Sequence, residues 1–436
     1  MKSVLVLLIL ALSVEVAASA QEIAGRWSCT ADTVDASGVK RMIPQTIEIR
    51  GMGSSMTGML VSRRGGAGIP LRVIQEGPKF TLLGDFDFEG GEHLRWYLEL
   101  KEGRLQGKVW ALHDAPKKWG VDWTGPVDFG RETAAPVDRA GMDRWMKELS
   151  NWGRWGATDQ MGAVNLITPE TRRAAAALVH EGFSVSLSRD ADRIAAADNS
   201  RPFGHKMMSS GVDPDPMFAM DSYTISFHGA ALTHMDAMSH MVYAGKTYNG
   251  YSQSEIDGSG AHQLAVDAYR SGFFGRGILI DIPRLKGVPY LELSTPIYPA
   301  DLDAWEKQTG IRVGRGDMVF VRTGRWARRA ALGPWDTDKA AAGLHVSCAR
   351  WFKERDIAVL GSDAHGEMMP SSVAGVAYPI HQLVLIAMGV PMFDNCDLEA
   401  LSQAAAARKR WEFLLTAAPL VVPLGTGSPL NPIATF

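Results

Sequence analysis

The chain has 436 residues, 46% of them hydrophobic and 21% charged, an ordinary globular composition with material for two to three domains at about 150 residues each. Disordered, collagen-like and coiled-coil classes are excluded. Forty-five Lys and Arg against 48 Asp and Glu leave a net charge of −3, with no surplus of positive charge to neutralise a polyanion, so neither nucleic acid nor anionic lipid is expected as a partner.

At the N-terminus Lys2 precedes an apolar run from Val4 to Leu12, and Ala18-Ser19-Ala20 follows. As a helix the run spans about 14 Å, less than half of a hydrocarbon core of about 30 Å. Residues 1–20 therefore read as a cleavable signal peptide, which predicts a secreted or periplasmic protein with no membrane association after cleavage. Cys29, Cys348 and Cys396 form no CxxC motif. At most one disulfide is available, Cys348 with Cys396, and all three are expected as small buried apolar residues.

Residues 21–130 are predicted to be all-β. Short runs such as Thr46–Ile49, Leu71–Ile74, Phe80–Leu83, Trp96–Leu100 and Leu105–Ala111 are separated by glycine-rich turns, the pattern of a small antiparallel barrel or sandwich. His93 and His113 stand alone there and read as surface residues. A break over Arg131–Met142 opens a second domain, 131–436, of α/β class. Thr168-Pro169-Glu170 is a helix start, with Thr as N-cap and Pro at the first helical position. Strands are predicted at 223–227, 277–282, 318–322, 357–360 and 420–424, and helices at 300–309, 339–354, 381–388 and 397–406.

The chemistry concentrates in residues 228–240, which hold three of the eleven histidines. Imidazole and carboxylate are the ligand set of Zn²⁺ or Mn²⁺, and His234 and Asp236, two apart on extended backbone, project to one side. His228 ends a predicted strand, and Gly229-Ala230-Ala231 is a small-residue turn able to fold its imidazole back. His240 lies four residues beyond Asp236, so one helical turn or a tight loop returns it to the site. The sequence lacks a Gly-x-Ser-x-Gly elbow, a His-Glu-x-x-His motif, a phosphate loop and a Gly-x-Gly-x-x-Gly fingerprint.

Thr233-His234-Met235-Asp236 with His240 resembles the second half of the pattern His-x-Gly-Thr-His-x-Asp-x-x-x-His of cyclase-like metal-dependent hydrolases, which include bacterial kynurenine formamidase and isatin hydrolase. Further resemblance runs over about 151–402, through Asn151–Gly156, Tyr248-Asn249-Gly250, Arg276–Asp281, Arg322-Thr323-Gly324, Gly361-Ser362-Asp363, Pro379-Ile380-His381 and Asp394-Asn395. In the first half of the pattern Ala230 stands where the family has histidine, and His228, two residues earlier, aligns with it across a longer turn. The resemblance implies a swivelling β/β/α fold, a homodimer or higher homo-oligomer, and a small amide, lactam or lactone substrate, often aryl-linked. It implies metal ligands His228, His234 and Asp236, with His240 as the proton-transferring residue. His381 and Asp394 are candidates for a second metal or for substrate, as are His365 and Glu367 just after a predicted strand, although a single-metal site is the preferred expectation. Trp152, Trp155 and Phe227 are candidate substrate walls. The expected activity is hydrolysis of an amide C–N bond by a metal-activated water. A lactonase, or a binding protein with a degenerate hydrolase domain, is the competing expectation.

Overall fold

A computed structural model describes residues 25–34, 40–50, 56–60, 69–76, 79–86, 92–101, 104–113, 124–132, 137–213 and 217–436. The signal-peptide expectation lies outside the described residues, as do the side chains of Cys29, His93 and His113. The chain forms two compact units, 1–135 and 136–436.

In the first unit eight described antiparallel strands form a closed barrel rather than a sandwich, with Gly25–Val34 pairing on one side with Lys40–Arg50 and on the other with Thr124–Glu132. Closure leaves no free edge, and period-two alternation sends every second side chain inward. Trp27, Phe80, Leu82, Trp96, Leu105 and Val109 fill the interior.

The second unit is mixed α/β, as the alternation of elements predicted. Its nine-stranded sheet runs in spatial order Gly427–Pro429, His234–Asp236, Met392–Asp394, Val359–Ser362, Met318–Arg322, Phe273–Asp281, Glu412–Ala417, Ile433–Thr435, Ser184–Ser186. The middle strands from Met392–Asp394 to Phe273–Asp281 are parallel, and antiparallel strands flank them. All five residues of Met318–Arg322 are buried, as expected of a strand covered on both faces. Helices Pro299–Thr309, Cys348–Arg355 and Glu399–Arg408 pack in the same unit. Thr168 caps Pro169–Ala176, its side chain accepting from the Thr171 amide.

Three predicted elements are corrected. The apolar run 420–424 is an exposed loop, and the strand is Glu412–Ala417, because Pro419 precedes the run and Pro423 lies within it, and both lack a ladder donor. The strand predicted at 223–227 is Met220–Thr224, which leaves 225–227 free to turn towards the site. Of the helix predicted over 339–354 only Cys348–Arg355 forms. Gly343-Leu344 instead pairs with Pro296-Ile297, and Leu344 bridges Glu367. A side chain on Gly343 would collide with the Glu367 backbone, so tertiary pairing overrides the alanine-rich helical propensity here. The segment 381–388 begins as helix at Pro379–His381 and continues as a π-helical turn, Gln382–Ala387. Cys348 and Cys396 are both buried free thiols, so the conceivable disulfide is absent.

Candidate metal centre

The strand His234–Asp236 is buried throughout and lies between Met392–Asp394 and Gly427–Pro429. Its pleat puts His234 and Asp236 on one face, and the register sets Asp394 directly opposite His234, so a third ligand-type side chain joins that face from the neighbouring strand. His234, Asp236 and Asp394 can all offer atoms within 4.8 Å of one another. This cross-strand partner is invisible to local spacing.

His228 reaches back to the same carboxylate. Its Nδ1 lies 2.9 Å from Asp236 Oδ1, while its Nε2 is 3.0 Å from Thr426 Oγ1. Gly427 makes this approach possible, because a Cβ there would meet the Met235 carbonyl at 2.4 Å and His228 Cε1 at 3.0 Å. His240 returns through a turn closed by its own amide to the Ala237 carbonyl, and its ring stacks on His228 at 4.1 Å between centroids. Its Nε2 is 3.8 Å from Asp236 Oδ2, and His228, Asp236 and His240 form a second group of convergent ligand atoms. Asp236 is common to both groups.

On the inner side His381 Nε2 lies 3.3 Å from Asp394 Oδ2 and 3.7 Å from Asp236 Oδ2. Glu367 fixes that orientation by accepting from the His381 amide at 2.7 Å and facing His381 Nδ1 at 2.9 Å. A carboxylate behind the far nitrogen of an imidazole sets its tautomer and aims the near nitrogen, as behind metal-bound histidines. His365 sits one ring further out, its Nε2 3.3 Å from the Thr337 carbonyl and its ring edge-on to Tyr378, which in turn packs on His381.

Electrostatics follow from burial against partners. Burial pushes the Asp236 carboxyl up, but His228, His240 and His234 more than offset it and hold it below the usual carboxylate range. Burial, opposed by Asp236, lowers the His240 imidazole to about 4. His381 is held well above its ordinary value, because Asp394 and Glu367 outweigh its desolvation. Burial raises Glu367 and lowers His365.

The donor set fits a divalent cation. His228 Nδ1, Asp236 Oδ1 and Asp394 Oδ1 are all buried without a hydrogen bond, although the first two lie 2.9 Å apart. Buried polar atoms are nearly always paired, and here the unpaired ones belong to the two ligand groups that share Asp236.

The loop joining His228 to His234 is held from behind, by residues to which sequence reasoning assigned no role. Asn395 Nδ2 donates to the carbonyls of Gly229 and Leu232, and Thr233 Oγ1 donates to the Asn395 carbonyl at 2.8 Å. The buried Arg325 donates to the Ala230 carbonyl and to Asn395 Oδ1. The partners are 70 to 166 positions apart in the chain, so no periodicity signals them. Of the three aromatic residues expected as walls, Phe227 lies beside the imidazoles, 4.4 Å from His228 and 6.0 Å from His234 between centroids. Trp152 is engaged elsewhere, donating to the Ile386 carbonyl, and Trp155 lies under the Arg154 guanidinium.

Residues 154–367 match the family described as "Putative cyclase". A solved structure described as a novel cyclase is 33% identical, covering 66% of this chain and 98% of its own, with a TM-score of 0.60. Isatin hydrolase A from Labrenzia aggregata is 21% identical over 60% of this chain and 96% of its own, with a TM-score of 0.42. No curated protein matches.

Proposed function

This chain belongs to the cyclase family, and from that premise we propose that it is a metal-dependent hydrolase cleaving the C–N bond of a small amide, formamide or lactam. The observation that carries this reading is two ligand groups that share Asp236, His228 with His240 on one side and His234 with Asp394 on the other, in which His228 Nδ1, Asp236 Oδ1 and Asp394 Oδ1 are buried and unpaired. His228, His234 and Asp236 would hold the cation, Mn²⁺ or Zn²⁺, and Asp394 with His381 would extend the site to a second one sharing Asp236. A bound divalent cation supplies a water of lowered pKa and polarisation of the scissile carbonyl.

The remaining work falls to the chain's own residues. His240, stacked at the half-exposed mouth, takes a proton at Nε2 from the attacking water and returns it to the leaving nitrogen. Asn395 and Arg325 hold the loop carbonyls so that His228 and His234 keep their aim. Phe227 presents an apolar face to the substrate. Formanilide, isatin, a γ-lactam and the corresponding lactones, assayed with protein reloaded with Mn²⁺ or Zn²⁺, test the reading. Turnover of the amides above the lactones supports it, and turnover of lactones alone assigns the site to C–O bonds.

A further inference from the structure

Beside the ligand cluster a cavity opens between the 192–203 loop and residues 225–232, and His228 belongs to both. Phe203 and Phe227 give it apolar surface, and Asp192, Asp198 and Arg201 are its acidic and basic lining. The two carboxylates are already neutralised. Asp198 receives Arg329 Nε at 2.7 Å and Arg325 Nη2 at 3.4 Å, and Asp192 receives Arg329 Nη2 at 3.1 Å. Arg201 differs. It is exposed, its Nη2 donates to the His228 carbonyl at 2.6 Å, and among the described residues no carboxylate pairs with it.

Of the charged groups that line this cavity, Arg201 is the one without a charged partner among the described residues. A guanidinium carries five N–H donors in a planar fork suited to carboxylate. One bond to the His228 carbonyl orients the fork and leaves other donors open, so part of the ordering cost of binding is met in advance. We propose that this cavity is an anion subsite in which Arg201 receives a carboxylate carried by the substrate, on an aromatic frame seated against Phe203 and Phe227. The substrates are then acidic aryl amides. This deepens the hydrolase reading and rests on it for the position of the scissile bond.

The test is calorimetric binding of benzoate and of its neutral isostere benzamide to the full-length chain, wild type and Arg201→Gln, loaded with Mn²⁺ or Zn²⁺ and again after chelation, with metal content measured alongside. A charge-assisted pair predicts that the wild type binds benzoate about tenfold or more tighter than benzamide in both states, and that Arg201→Gln removes the preference while keeping its metal. A preference that survives in Arg201→Gln overturns the proposal, as does one that vanishes on chelation, which places the carboxylate on the cation. Loss of metal in Arg201→Gln also overturns it, because Arg201 then only positions His228. Binding is read without turnover. A chain that keeps the benzoate preference yet hydrolyses none of the amides therefore faults the hydrolase reading and not the subsite.

Discussion

Asp236 and Asp363 are both buried carboxylates in the same unit, and their surroundings are opposite in kind. Asp363 is ringed by donors. It accepts from the Thr323 amide at 2.9 Å and hydroxyl at 2.8 Å, the Gly324 amide at 2.7 Å and the Arg325 amide at 3.1 Å. Burial raises its carboxyl and these donors pull it back only in part. Asp236 faces the imidazoles of His228, His234, His240 and His381, and its Oδ1 makes no hydrogen bond. Burial alone therefore does not tell a structural carboxylate from a reactive one. A carboxylate held by backbone N–H groups fixes a turn, here the Thr323–Arg325 turn that aims Arg325 at the metal loop. One faced by several imidazole nitrogens, with an oxygen left unpaired, is placed to share a cation with them.

Exchanging the two carboxylates' chemistry should give crossed phenotypes. Asp236→Asn is expected to lower turnover by about 10³-fold or more while leaving the metal-free chain folded, because the metal-activated water goes with the site. Asp363→Asn is expected to destabilise by about 3 kcal/mol, read by urea unfolding, because an amide NH₂ is pressed against donors. Equal loss of stability in both variants would erase the distinction.

The next effect separates His240 from the ligands beside it. His240→Ala should retain metal and lose about 10²- to 10⁴-fold in kcat, the usual contribution of proton transfer. Metal and activity lost together would make His240 a ligand. Glu367→Gln should weaken metal binding by about tenfold or more, measured by chelator competition, if His381 is aimed at the cation from behind. An unchanged affinity would confine the Glu367–His381 pair to packing.

The smallest effect lies away from both carboxylates. Burial pushes Asp317 up to about 6 despite Arg276 and the Gly314 amide. The folded chain then binds a proton that the unfolded chain has released between about pH 4 and 6, so this group's contribution to stability is full below about pH 4 and is lost as pH rises through about 6. Asp317→Asn should flatten the fall in thermal midpoint over that window. An identical slope in variant and wild type would contradict the shift.

The ligand types and the His234–Asp236 spacing were legible in the sequence because they depend on local strand geometry. The alternating barrel and the core strands of the sheet were legible for the same reason, since burial imposes its period directly on the residues. The sequence marks Asp394 as a candidate, but its place opposite His234 depends on strand register, and Arg325 and Asn395 depend on contacts across the whole domain. The differences at 339–347 and 420–424 arise where composition favours an element and long-range pairing, or Pro419 and Pro423, decide otherwise.

Metal content of the wild type and of Asp236→Ala, after dialysis against trace Mn²⁺ or Zn²⁺ and measured by elemental analysis, shows whether Asp236 is the common ligand of a bound cation. About one equivalent or more is expected in the wild type and less than about a tenth in the variant, since a site that loses its common carboxylate loses its cation. A full equivalent in Asp236→Ala, or less than about a tenth in the wild type, would contradict this.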